Sequence, residues 1–97
     1  MLPVRVAKQS YSEFHTGQGT AGAAKAALTA NAWEAKHGVF VRNHDGANSV
    51  YVGDSDVTVN TGFQLAAGDD IWIPVIAASD LYVITGGASV DYSFLVV

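Results

Sequence analysis

The chain has 97 residues, 49% of them hydrophobic and 14% charged, with a formal net charge of −4 and no cysteine. That length fits one domain with a modest core and excludes disulfide chemistry, and a charged share well under the usual ~25% implies surface that a partner covers. All five basic residues precede residue 43 and all seven aspartates follow it, so no clustered basic face is available to a nucleic acid.

At the N-terminus, Leu2, Val4 and Val6 alternate with Pro3, Arg5 and Ala7. The pattern suits an edge strand or an extended arm over residues 1–22. The start lacks the basic and apolar blocks of a secretory signal, so synthesis in the cytoplasm is expected. The longest apolar run, residues 71–78, is interrupted by Pro74 and is far short of the ~20 residues a spanning helix needs.

Residues 16–22 read as a flexible linker. Gly17, Gly19 and Gly22 formally match the glycine fingerprint of dinucleotide sites. The expected acid about 20 residues later is missing, which makes the match one of chance. Residues 21–35 are rich in alanine but show no helical apolar stripe. A period-two reading puts Ala24, Ala26 and Leu28 on one strand face, with a short helix as the alternative.

From Gly38 the pattern is of short strands. Residues 38–42 form a buried strand, and Asp45-Gly46 marks a hairpin turn that returns Val50 to Val52 antiparallel. Phe63 to Leu65, Ile71 to Val75, Leu81 to Thr85 and Val90 to Val96 follow, with Pro74 ending its strand at an edge or bulge. The core candidates are Val39, Val41, Val50, Val52, Ile71, Ile73, Leu81, Val83, Tyr92 and Phe94. Seven or eight strands in this length predict an all-β fold, a small antiparallel β-sandwich or jelly-roll-like domain over residues 23–97 with an extended N-terminal arm.

Candidate chemistry is sparse. His37 and His44 flank one strand and would have to approach across it to bind a metal, with His15 further off. Asp54, Asp56, Thr58 and Asn60 start like a calcium loop, but Val59 and Leu65 occupy the places that require Gly and Glu. No nucleophile elbow occurs, and Glu13 and Glu34 do not form an acid/base pair. The expectation is therefore a protein that is not an enzyme and has no metal or cofactor. Tyr51, Trp72, Tyr82 and Tyr92 could build a sugar-stacking platform, against the plainer reading of core or subunit packing.

The stretch Val-Tyr-Val-Gly-Asp-Ser-Asp-Val-Thr at residues 50–58, with Phe-Gln-Leu-Ala-Ala-Gly-Asp-Asp-Ile at 63–71 and Asp-Leu-Tyr-Val-Ile at 80–84, resembles small virion proteins of tailed bacteriophages. The resemblance spans roughly residues 38–97 and implies a capsid decoration or cement protein. Such a protein would bind the major capsid protein on the virion surface and self-associate, with a trimer favoured, without contacting nucleic acid or membrane. The N-terminal segment would act as a pinning arm, with Val4, Arg5, Val6, Lys8, Tyr11, Phe14 and Trp72 as interaction residues, and a core from about Ala24 onward would fold without it. The alternative role is a receptor- or carbohydrate-binding module of a phage fibre.

Overall fold

Four inward side chains of one strand, Val90, Tyr92, Phe94 and Val96, hold the centre of the protein, while Asp91, Ser93 and Leu95 alternate outward. A computed structural model describes residues 14–97 as eight strands. They are β1 (His15–Ala21), β2 (Ala26–Ala27), β3 (Val39–Asn43), β4 (Val50–Gly53), β5 (Phe63–Leu65), β6 (Asp70–Ile73), β7 (Tyr82–Ile84) and β8 (Val90–Val96), with one 3₁₀ turn at Ala78–Asp80. No α-helix occurs among the described residues, and none of their helices is long and apolar enough to cross a membrane.

The strands form two four-stranded sheets, ordered β1-β8-β3-β6 and β2-β7-β4-β5. First strand pairs with last, second with seventh, third with sixth and fourth with fifth, all antiparallel. The chain is thus one long folded ribbon, wound so that β3 also meets β8 and β4 also meets β7. This winding is the jelly roll, and it accords with the all-β reading of the sequence. Val39, Val41, Val50, Val52, Val83, Val90 and Val96 meet between the sheets, where each buried side chain of this size stabilises by about 1.5–3 kcal/mol.

Sheet membership starts earlier than the linker reading of residues 16–22 allowed. His15–Ala21 is the edge strand β1, paired with β8 along its whole length, so this part of the segment is no free arm. Its glycines have a packing role. Gly17 lies opposite Phe94 and Gly19 opposite Tyr92. A Cβ at either position would come within 2.5 Å of the facing ring, so the fingerprint glycines make room for aromatic rings across the strand pair. Tyr92 reaches on through the core and donates its hydroxyl to the Leu28 carbonyl at 2.7 Å, and burial raises its pKa. Ala26 and Ala27 do form a strand, but Ala24 and Ala26 are exposed and only Leu28 is buried, because β2 is too short and marginal to keep a face.

The predicted hairpin at residues 43–48 is corrected. β3 and β4 lie in different sheets, and the loop between them is a crossover. The reason is Asn43, which is fully buried at the end of β3. Its side-chain amide donates to the carbonyls of Asn48, at 2.9 Å, and Leu65, at 3.0 Å, and its side-chain carbonyl accepts from the Asp45 amide at 2.7 Å. The Asp45 carboxylate then accepts the amides of Ala47 and Asn48, which hold its pKa below the ordinary 3.8. These local bonds compete with ladder pairing and turn the chain across the sandwich.

Replacing Asn43 with leucine leaves the buried Leu65 carbonyl without its side-chain donor, at a cost of about 1–3 kcal/mol, and frees the partly buried Asn48 carbonyl as well. The Asn43→Leu protein is expected to melt at least about 5 °C lower in a calorimetric scan. A melting temperature within a degree or two of the parent would show that the side chain does not hold the crossover.

Candidate functional site

The two sheets are tied together at one end of their β5–β6 side and leave apolar residues uncovered toward the other. Ala66 to Asp69 make a tight turn, closed by the Asp69 amide on the Ala66 carbonyl at 2.9 Å, with Gly68 at φ +79°. Next to it, the Asn43 amide donates to the Asp69 carbonyl and its side chain to Leu65. Leu65 is accordingly only 2% exposed.

Two residues away the cover is gone. Phe63 pairs with Val52 and Leu65 with Val50, so both project to the inner face, yet Phe63 is 59% exposed. On the facing sheet, Ile71 and Ile73 pair with the buried Val41 and Val39 but are themselves only partly covered. The result is a groove of about 460 Å³ between β5 and β6, walled by Val52, Phe63, Ile71, Ile73, Val75 and Leu81. Asp54 and Asp80 are the charged groups lining it, and both are exposed. An apolar wall with negative charge alongside is suited to a partner with apolar side chains and basic flanks.

A second constellation lies on the outer surface of the first sheet. His44 Nε2 is 2.7 Å from Ser93 Oγ, beside Asp91, Thr20 and Gln18. The spacing matches a nucleophile and its base, but the Asp91 carboxylate accepts the Thr20 hydroxyl at 2.8 Å and so does not orient the imidazole. The bonds fasten the crossover and β1 to β8, and the outward parity of Ser93 on β8 could have flagged that pairing in the sequence.

The residues singled out in the sequence are dispersed. Val4, Arg5, Val6, Lys8 and Tyr11 lie outside the described residues. Phe14, 53% exposed, immediately precedes β1 on one edge of the first sheet, and Trp72, 45% exposed, lies on β6 at the other edge. Trp72 pairs with Phe40, which also pairs with Leu95, giving an outer apolar row that the sequence reading missed. The sugar-stacking platform does not form: Tyr92 is in the core, Trp72 is on one outer face, and Tyr51 and Tyr82 are on the other. His37 and His44 lie at opposite ends of the five-residue β3 and cannot share a metal across it. Asp54 instead bonds the Asp56 amide in a tight turn.

Fold and site together define a jelly-roll β-sandwich with one open side. Among solved structures, the chain is similar to a Salmonella typhimurium protein designated ethanolamine utilization protein Q, at a TM-score of 0.53 and 16% identity. The match covers 92% of this chain and 61% of that one, so this protein spans less than two thirds of its length. No family model matches the chain, and no curated protein matches it. The virion expectation is corrected here. The fold neighbour is an ethanolamine utilization protein, not a phage structural protein, and neither the decoration role nor the fibre-module alternative has support from any comparison. The residues that carried the resemblance lie in β4, β5, β6 and β7 and the turns between them.

Phe63 and Leu65 share a strand and a face but differ in cover, and their truncations separate the groove from the core. Leu65→Ala is expected to cost about 2–5 kcal/mol in denaturant unfolding, as a buried leucine does. Phe63→Ala should stay within about 1 kcal/mol of the parent. Equal losses would mean that Phe63 is core and the groove is closed.

Proposed function

We propose that the protein is a non-catalytic binding domain that accepts an extended, apolar segment of a protein partner in the groove between β5 and β6. The observation that carries this reading is Phe63, an inward-facing aromatic residue left uncovered opposite Ile71 and Ile73. An extended segment with apolar residues at every second position offers one continuous face to such a wall, and the edge of β6, unpaired among the described residues, offers main-chain hydrogen bonds. Catalysis has little to draw on there, because among the described residues the groove brings Asp54 and Asp80 beside aliphatic and aromatic groups.

A role in ethanolamine utilization is not carried over from the fold neighbour. A small amino alcohol needs several convergent polar groups to orient it, and walls of valine, isoleucine, leucine and phenylalanine do not supply them.

The test is a titration of isotope-labelled protein with excess of a capped Leu-Ser-Val-Ser-Val-Ser peptide, followed by NMR. Resonances of Phe63, Ile71, Ile73 and Val75 are expected to shift, whereas those of Tyr51 and Tyr82 on the outer face stay fixed. A peptide with aspartate in place of its valines should have no effect. Shifts confined to the outer faces, or none at all, would overturn the reading.

A further inference from the structure

We infer that the segment received in the groove is residues 2–8 of a second copy of this chain, laid antiparallel to β6. The inference rests on the groove's being a receptor for extended apolar segments, and it names the donor.

Three observations support that donor. The first is pattern: Leu2, Val4 and Val6 place apolar side chains at every second position, the spacing needed to lie on Phe63, Ile71 and Ile73. Pro3 falls between them and is tolerated because an added strand is itself an edge. The second is charge. The segment carries Arg5 and Lys8 and no acid, while Asp54 and Asp80 line the groove and Asp69 and Asp70 stand at the start of β6. An antiparallel strand beginning at the Ile73 end of β6 finishes at the Asp70 end, bringing the inward-facing Lys8 to the turn that holds Asp69 and leaving Arg5 on the outer side, the side that Asp70 faces. Among the described residues, Asp70 has a 3.7 Å contact with the half-exposed Arg42, a pair that solvent keeps weak.

The third is geometry, which selects a second copy over the chain's own segment. His15 pairs with Val96, Val96 with Val39, and Val39 with Ile73, so these four residues lie in one row across the first sheet. The segment therefore enters at the Ile73 end but on the far edge, three strand spacings or about 14 Å away. For it to reach its own groove, the residues between it and β1, 9–14, would have to cross the end of the sandwich. It would then be left parallel to β6, with Lys8 at the wrong end. A neighbour's segment carries no such restriction and takes the antiparallel pairing, the more stable ladder.

The absence of native cysteine makes the test direct. A Val4→Cys protein is mixed with a Phe63→Cys protein under mild oxidation, and a mixed disulfide dimer is expected. The Val4→Cys, Phe63→Cys double variant should also link between chains. An intrachain link in the double variant would show that each molecule fills its own groove and would overturn the inference. In parallel, sedimentation of the full chain should show association that Val4→Asp with Val6→Asp weakens by at least about tenfold, with an unchanged thermal transition of the monomer. Arg5→Glu with Lys8→Glu should weaken it as well, and added salt should act in the same direction. A full chain that stays monomeric while the capped alternating peptide still shifts Phe63 would remove the second copy as donor and leave the groove reading intact. Failure of both would remove the two together.

Discussion

The buried side chain of Asn43 decides where the chain goes after β3, and most of the architecture follows from that decision. A polar amide placed in a core costs more than a hydrogen bond returns unless its groups are satisfied. Here it donates to Asn48 and Leu65 and accepts from Asp45, so the penalty is offset only in the crossed geometry. A hairpin between β3 and β4 would put those partners elsewhere. With the crossover in place, β3 is free to lie between β8 and β6, and β4 between β7 and β5.

The open groove is a consequence of the same winding. Leu65 and Asp70 sit at the joined end of the two sheets, where Asn43 contacts Leu65 and Asp69, and apolar residues are left uncovered toward the other end. β5 has three residues and β6 four, too few for either edge to cover the other beyond the turn. Phe63 is left with inner-face chemistry and outer-face exposure, and Ile73 is only partly covered. Such a side could be closed by charges or a bulge, as exposed edges often are. This one keeps its apolar groups and places acids around them, which favours selective occupancy over indiscriminate sticking.

Period-two alternation made the core legible in the sequence. Val39, Val41, Val50, Val52, Leu81, Val83, Tyr92 and Phe94 are buried as their parity required, and Ile71 and Ile73 point inward as well. Alternation reports which face a side chain takes but not whether anything lies across from it, so it could not separate the uncovered Phe63 from the buried Leu65 on the same strand. Asp45-Gly46 suggested a hairpin because turn chemistry is local, whereas the choice between hairpin and crossover rests on Leu65, 22 residues from Asn43. The glycines of β1 were opaque for a similar reason. Their meaning lies in Tyr92 and Phe94, more than 70 residues away, and it shows only when Gly17, Gly19 and Ala21 are set against Phe94, Tyr92 and Val90. The family resemblance rested on strand and turn residues, which specify a fold and leave its occupant open.

Interstrand nuclear Overhauser effects around Val41 test the winding most directly. If Asn43 sends the chain across the sandwich, the backbone of Val41 is expected to show contacts to Ile71 on one side and Phe94 on the other. A ladder of backbone contacts joining Val39 to Val41 with Val50 to Val52 would mean that β3 and β4 form a hairpin. The jelly-roll order, and the groove that depends on it, would then be wrong.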